Sequence, residues 1–587
     1  MLFRSQQFLA EQKQGKLSTD APGTSGKGGI ALDFLMRPAV LLRICFILLT
    51  ALYIRTITFD FVYDDLTIIL GAGTEWKSIF GGFVHGLFQT AEGAGSSYYR
   101  PLPVFYIGTI QHLVGSAPAW FHIAAILIHL SVFYLAYVLG RYLFCDERVA
   151  LLAALLFALH PTKAEPVAWI GSSACDGLGA IFFFGCLVCY FKWRESNAKT
   201  YLGAAILLYG AALLTKETLA VLPALIGVYE WISTPKTERL RRTLLLLIPF
   251  GVMLAAFVTV RHFALAPDVI TAPSTGATTY LRPTFSVVNL WSAPLACWWF
   301  LRHLVFPTGL SVMYDPIIVD APTFKNFVLP ALGLIAVCVL LWWRWKRSDS
   351  RTFSFLLVWF LLTLGPYAVL APMVQQHDRY LHLASYSFCA ALAWWIAGNA
   401  KSSLRYGVGI ALVVLFAVNT WHEVGFWETE LTLWQRAEKI APLLIEPRFM
   451  LADLYVQSGN RAAADKTLDE GLRLHPNSPT LWRSRALMLY GDKNLPAAKS
   501  SFQKAFEADN SGKVKPLCAF YLGKIATEQD DFVSAETWLR TAIQLAPRAV
   551  GYHSALATAL YGQGRVDDGM LEEKAEFELA KRLRRTN

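Results

Sequence analysis

Up to about residue 421 the chain alternates long, nearly uncharged apolar runs with short polar connections; after that point it becomes charged, with apolar positions at helical spacing. A helix that crosses a bilayer needs about 20 apolar residues, somewhat fewer where neighbouring helices help. By that measure the candidate spans are 38 to 57, 118 to 143, 149 to 160, 177 to 193, 201 to 215, 218 to 232, 243 to 261, 324 to 345, 352 to 371, 383 to 400 and 404 to 421, eleven in all. An odd number puts the two ends of the membrane part on opposite sides. The Trp-rich run 286 to 306 fits this count badly as a twelfth span and reads as an interfacial or re-entrant piece on the outer side.

Composition agrees with a membrane protein: 55% of residues are hydrophobic and only 16% charged, against about 25% charged in soluble domains. The net charge of +10 does not point to nucleic acid. Its Lys and Arg lie in clusters beside apolar runs: Arg141/Arg148, Lys192/Arg194/Lys199, Lys236/Arg239/Arg241/Arg242, Arg344/Lys346/Arg347/Arg351 and Lys401/Arg405. All five fall on one side if the amino terminus is cytoplasmic. Six of the nine cysteines lie within apolar runs and read as packing residues, with no disulfide framework. Residues 1–37 read as a disordered cytoplasmic tail, and the first apolar run as a signal anchor.

The segment after Trp421 repeats with a period of 34: Pro442, Pro476 and Asn510 occupy equivalent places, and Pro547 follows a small insertion. Leu451, Ala452, Tyr455, Gly459, Ala464 and Leu468 of the first copy occupy tetratricopeptide packing positions, as do Trp482, Ala486, Ala498, Phe502 and Ala505 of the second and Leu522, Gly523, Ala526, Ala535, Leu539 and Ala542 of the third. Residues 428 to 440 fit the second helix of a half repeat joined to the last span. A fourth copy degenerates from Gln563 into a charged, solvating end. The fold expected is all-α: 38–421 a polytopic membrane domain with a long outer loop at 58–117, and 422–587 an α-solenoid outside the membrane.

With this sidedness, four ionisable clusters face outward. The first is Tyr63-Asp64-Asp65, where two adjacent carboxylates could act as a base, hold a metal, or cap the helix that follows. The second runs from His160 through Lys163 and Glu165 to Asp176; ionisable groups between short spans are costly unless they line a wet cavity or cap a helix end. The third, Lys216-Glu217, reads equally as a salt-bridged turn. In the fourth, His377-Asp378-Arg379-Tyr380, the fork of Arg379 suits a phosphate, and Asp378 can pair with a neighbour.

The succession FVYDD, YYRPLPV, HPTKAEPVAWIGSSACD, LTKE and HDRYLHLAS resembles the transmembrane and tetratricopeptide-repeat O-mannosyltransferases, within the GT-C type class of multi-span glycosyltransferases that use polyprenyl-phosphate sugars. It departs from them at His377-Asp378 and at Ser173-Ala174-Cys175-Asp176, where an Arg of the family pattern is missing. The resemblance implies an inverting transfer of a mannose-like sugar to a hydroxyl of an extracytoplasmic acceptor. In this reading Asp64 takes the acceptor proton and Asp65 orients the loop or holds charge nearby. Arg379, then Arg100 and Lys216, face the donor phosphate, while His160, Glu165, Asp176, Glu217, Asp378 and Tyr380 line the sugar cavity. No motif requires a cofactor or a metal, although the two carboxylates and Asp176 could hold a divalent ion. The bilayer, the lipid-linked sugar, and an acceptor or partner protein on the repeats are the expected partners. A scaffold whose spans anchor the repeats is the alternative, although so many spans exceed an anchor's need; a transporter is the other, although no paired halves are visible. The short array and the lack of any Asn-x-Ser/Thr sequon favour a bacterial inner membrane with periplasmic repeats over the endoplasmic reticulum.

Overall fold

A computed structural model describes residues 37–83, 98–265, 284–347, 351–398 and 403–586, and among them every regular element is helical. The expected amino-terminal tail, apart from Arg37, and residues 84–97 of the outer loop lie outside the described residues. Proline at the first helical turn, where its missing N–H costs nothing, opens Pro38–Tyr53, Pro101–Val114 and Pro118–Phe144. Asp146 caps Glu147–Leu159 by accepting the N–H of Arg148 at 2.8 Å and of Val149 at 3.2 Å.

Among the described residues, six helices are long and apolar enough to cross a membrane: Pro38–Thr58, Pro118–Phe144, Ile170–Ser196, Arg239–Ala264, Arg351–Val369 and Ser403–Gly425. The chain is a multi-pass membrane protein. Leu244, Leu245, Ile248 and Val252 are exposed along one face of Arg239–Ala264, where only lipid makes large apolar side chains stable. The other expected spans are helical, and three of them are apolar over 10–17 residues: Lys199–Thr215, Phe324–Leu340 and Ala384–Ala397. The run at 149 to 160 gives a 13-residue helix, about 20 Å against a hydrocarbon core of about 30 Å, because Pro161 opens a new turn. The run at 218 to 232 loses its start to a 3-10 turn at Glu217–Val221, leaving the 12-residue Leu222–Ser233. The Trp-rich run is helical throughout. It forms one 19-residue helix, Val287–Val305, held to its neighbours by Trp298 donating to the Pro330 carbonyl at 2.7 Å and Asn289 donating to Val369 at 3.2 Å.

The core of the membrane part forms around Phe133, Phe157, Phe183, Phe184, Trp359 and Tyr386, all fully buried. Gly140 permits a close helix approach there, since a Cβ on it would stand 3.0 Å from Ala150. Two of the basic clusters converge at one end on a single carboxylate: Arg194 pairs with Glu230, and Arg242 Nε lies 2.6 Å from it.

The repeats pair as Glu446–Gln457 with Arg461–Leu474, Pro479–Gly491 with Leu495–Ala508, and Lys515–Glu528 with Phe532–Leu545. Their small and branched consensus positions are buried: Ala452, Ala464, Leu468, Ala486, Ala498, Phe502, Leu522, Ala535 and Leu539. At Gly523 a Cβ would fall 2.5 Å from Leu539 Cγ, so glycine sets the closeness of that pair. The fourth copy is more regular than expected. Tyr552–Gly562 packs on a 21-residue helix, Val566–Thr586, fixed by His553 to Glu572 at 2.6 Å and Gly551 N–H to Glu576 at 2.7 Å.

The half repeat, Glu430–Ile440, begins at Thr429 and is tied to the membrane part. Arg436 donates to the Leu310 carbonyl at 2.9 Å and pairs with Glu423 at 3.3 Å, and Leu443 N–H donates to Asp315 at 3.0 Å. The solenoid is thereby anchored at the end opposite the Glu230 cluster, beside the loop that carries Asp64.

Candidate functional site

The ionisable clusters meet in space. Asp64 sits at the N-cap position of Asp65–Ala72, yet its side chain makes no capping bond. Its Oδ1 accepts instead the indole N–H of Trp169 at 3.0 Å. Burial pushes the Asp64 carboxyl up to about 6, opposed by the charge of Arg379 and by the Trp169 bond. Asp65 is fully buried and accepts the N–H of Gly171 at 2.9 Å and of Val62 at 3.3 Å. Burial raises its pKa too, and its contacts are structural: it ties the loop to the turn that opens the helix after Trp169.

Glu165 and Arg379 form a two-point pair, Nη1 to Oε1 at 2.5 Å and the Arg379 backbone N–H to Oε2 at 3.0 Å. The guanidinium lies over the Trp169 ring at 4.6 Å. Burial disfavours the charged guanidinium, but Glu165, Tyr380 and Asp176 outweigh it and raise its pKa. Trp169 therefore stands between the carboxylate of Asp64 on its edge and the cation of Arg379 on its face. Next to them Lys216 Nζ meets Asp176 Oδ1 at 2.5 Å, with both side chains 8% exposed. Burial works against the ammonium, but Asp176 prevails and raises the Lys216 pKa. Arg100 forms a fork with Glu217 at 3.1 and 2.7 Å and lies over Tyr98 at 4.4 Å. Burial opposes ionisation of Glu217, yet Arg100 dominates and draws its carboxyl down to about 2.

A small recess opens among these groups. Arg379, Lys216, Asp176, Cys175 and Tyr380 line its polar side; Leu219, Val221, Leu383 and Tyr367 line its apolar side. Tyr367 and Tyr380 stack at 4.0 Å. The two cations keep donors to spare, since the carboxylates take one guanidinium nitrogen of Arg379 and one contact of Lys216. A wall with two such cations and an apolar flank suits an anion attached to a hydrocarbon chain.

Four expected cavity residues lie outside this lining, one of them Glu165, which is held by Arg379. His160 is fully buried, with Nδ1 on Thr162 Oγ1 at 2.8 Å and Nε2 on the Leu304 carbonyl at 2.9 Å, so it fastens the turn after Leu159 to the Trp-rich helix. Asp378 accepts the Tyr314 hydroxyl at 2.6 Å and the Ser311 N–H at 3.3 Å, and binds the loop that follows that helix. Glu217 is engaged with Arg100. Among the described residues no three His, Cys, Asp or Glu side chains converge as a metal site; Asp64, Asp65 and Asp176 do not form the shared ligand set considered from the sequence, because Asp65 is taken by backbone N–H groups and Asp176 by Lys216 and Ser172.

Two residues of the site were not singled out from the sequence. Trp169 lies inside the HPTKAEPVAWIGSSACD stretch but reads as one more aromatic at a membrane rim. Glu430 accepts the Tyr63 N–H at 2.6 Å across 367 residues, a pairing that no local pattern signals.

Residues 100–263 match the family model described as dolichyl-phosphate-mannose-protein mannosyltransferase, and 449–513 match a tetratricopeptide repeat. The human protein O-mannosyl-transferase TMTC2 is 33% identical over 192 residues, 31% of this chain and 22% of that protein. Human protein O-mannosyl-transferase TMTC3 is 24% identical over 431 residues, 67% of this chain and 46% of that protein. The archaeal oligosaccharyltransferase AglB from Archaeoglobus fulgidus, solved with an inhibitory peptide and a dolichol-phosphate, superposes with a TM-score of 0.40 at 14% identity over 66% of this chain and 55% of that one. The chain spans less than half the length of these two human relatives. The chain is thus similar to the protein O-mannosyl-transferases over part of its length, with residues 100–263 matching the mannosyltransferase model and 449–513 the tetratricopeptide repeat.

Proposed function

We propose that the chain is an inverting glycosyltransferase that moves a mannose-like sugar from a polyprenyl-phosphate donor to a hydroxyl of an extracytoplasmic acceptor, a protein Ser or Thr presented by the repeat domain. The observation that carries this reading is the meeting of Asp64, Trp169 and Arg379 beside a recess with cations on one wall and apolar side chains on the other. The donor phosphate faces Arg379 and Lys216, with Arg100 behind them, and the lipid chain leaves along Leu219, Val221 and Leu383. The similarity to protein O-mannosyl-transferases supports the same reading.

Asp64, ionised at neutral pH, takes the proton of the acceptor hydroxyl as its oxygen attacks the anomeric carbon from the face opposite the phosphate. The bond from that carbon to the phosphate oxygen breaks, its electron pair leaves with the phosphate, and the product is a glycoside of inverted configuration plus polyprenyl phosphate. A carboxyl near 6 remains mostly ionised at pH 7 while being a better proton acceptor than an ordinary aspartate. Arg379 and Lys216 meet the charge that grows on the leaving phosphate. Glu165 and Asp176 hold those cations in place, and their remaining lone pairs are available to sugar hydroxyls. The membrane domain, residues 38–421, holds the chemistry and 422–587 the recruitment, in a bacterial inner membrane with the repeats in the periplasm.

Full-length protein in lipid nanodiscs, given dolichyl-phosphate or undecaprenyl-phosphate mannose and a mixture of Ser/Thr peptides, tests the reading. Release of polyprenyl phosphate that requires the peptides is the expected result, with loss of at least about 10-fold in Arg379→Ala. Release that is independent of peptide, or insensitive to Arg379, would overturn it.

A further inference from the structure

The strand of chain that carries Asp64 is held from the repeat side. Tyr63, immediately before it, adopts φ +63°, a left-handed conformation unfavourable for a bulky side chain. Its N–H, turned outward by that conformation, donates to Glu430 Oε1 at 2.6 Å. Glu430 takes the indole N–H of Trp434 on its other oxygen. The Tyr63 ring is edge-on to Trp169 at 5.1 Å and tilted against Trp434 at 5.8 Å. The Asp60 N–H donates to the Glu428 carbonyl at 3.2 Å, and Trp427 stacks over Trp169 at 6.3 Å.

Residues 427–434 thus touch Asp60, Tyr63 and Trp169, which precede Asp64 in the loop or donate to its carboxylate. From these contacts we infer that the helix opening the repeat domain is a built-in clamp on the Asp64 loop, in which Glu430 and Trp434 are positioning residues for Asp64. This deepens the glycosyltransferase reading and rests on it. The physical reason is the strained Tyr63. A residue in that region persists only where its surroundings over-determine it, and the Glu430 carboxylate supplies a charge-assisted acceptor for its N–H. Without the clamp the loop relaxes, and the Asp64 carboxylate leaves the Trp169 indole. Because the clamp residues sit in the half repeat, an acceptor seated on the solenoid is joined to the catalytic loop through one short helix.

The groups facing Asp64 are Asp65, Arg379 and Trp169 from the membrane part and Glu430 from the clamp, with Tyr63 and Glu165 beside them. Glu430→Gln keeps a carbonyl for the Tyr63 N–H, gives up the Trp434 bond, and removes a negative charge near Asp64, whose pKa that charge raises. It is expected to retain most of the turnover and to move the acid limb of the pH profile downward. Glu430→Ala removes the acceptor outright. It is expected to lower kcat by about 10-fold to 100-fold with donor KM nearly unchanged, and to speed amide hydrogen exchange over residues 60–66. Trp434→Phe, which keeps a ring and loses the N–H, gives up the same bond as Glu430→Gln and should resemble it in turnover.

The experiment measures both readouts on full-length protein in nanodiscs, with dolichyl-phosphate mannose as donor and Asp64→Asn as reference. Faster exchange of the loop together with a kcat loss in Glu430→Ala, restored in Glu430→Gln, is the expected result. Unchanged exchange in Glu430→Ala and Trp434→Phe would overturn the clamp, as would unchanged kcat in Glu430→Ala when Asp64→Asn is inactive. An active Asp64→Asn would instead refute the catalytic reading and with it the positioning role, and the exchange data would still show whether the loop is held.

Discussion

Trp169→Phe removes one interaction and keeps another, which makes it the sharpest probe of how the base is tuned. The indole N–H to Asp64 Oδ1, at 3.0 Å, is lost, whereas a benzene ring remains under the Arg379 guanidinium, now at 4.6 Å from the indole ring. The Trp169 bond lowers the Asp64 pKa, which burial has already carried to about 6. A hydrogen bond to a charged group contributes about 1.5 kcal/mol at the low end, close to a tenfold change in ionisation, so the variant carboxyl titrates near about 7. The sign follows: a base must be deprotonated, so a higher pKa moves the rising limb of rate against pH to higher pH. With Asp64 at about 6, roughly nine-tenths of the enzyme is ionised at pH 7 and half at pH 6; with a pKa near 7 these fall to about half and about a tenth. Transfer should drop about twofold at pH 7, about fivefold at pH 6, and hardly at all at pH 8.5. The assay is the transfer rate from pH 5 to 9 at low donor concentration. A limb that stays in place or moves to lower pH would refute the tuning.

Other perturbations separate the parts of the site from the parts of the fold. Arg379→Lys retains a charge but loses the planar group stacked on Trp169 and paired with Glu165, and should raise donor KM and lower kcat/KM by about 10-fold or more. Asp176→Ala leaves Lys216 without its carboxylate in a nearly closed site, a break of the kind that costs about 3–5 kcal/mol, and thermal unfolding of the solubilised protein should show a clear drop in midpoint. His160→Ala should destabilise the fold in the same assay while leaving donor KM unchanged, since its ring is committed to Thr162 and Leu304. Gly523→Ala drives a Cβ onto Leu539 and should destabilise the solenoid by about 1–3 kcal/mol, visible as faster proteolysis within the repeats and not in the membrane part.

The helices were legible in the sequence because burial and lipid contact both leave a periodic apolar trace, and the repeats because their alanines and leucines recur where helix pairs touch. Span lengths were less legible. A hydropathy run does not record that Pro161 begins a new turn or that Glu217–Val221 tightens into a 3-10 helix, and both shorten helices that read as full spans. The ionisable clusters were legible as clusters, since charges between apolar runs stand out. How they pair was not: the partners of Arg379, Arg100 and Asp378 are 214, 117 and 64 residues away, and only the packed fold matches them. The same limit explains Trp169, whose N–H reaches a carboxylate 105 residues earlier, and Glu430. Asp64 and Asp65 look alike in the sequence, and the backbone separates them: Asp65 turns inward onto two N–H groups while Asp64 faces Trp169.

That separation leads to the most direct measurement. Wild type, Asp64→Asn and Asp65→Asn are expressed at equal levels in cells lacking the native protein, and sugar additions on extracytoplasmic proteins are counted by mass spectrometry, with detergent extraction as the check on folding. Asp64→Asn should fold normally and lose the modification, because an amide cannot accept the hydroxyl proton. Asp65→Asn should extract poorly, because it disturbs the bonds from Val62 and Gly171. Modification by Asp64→Asn at the wild-type level would contradict the account at its centre.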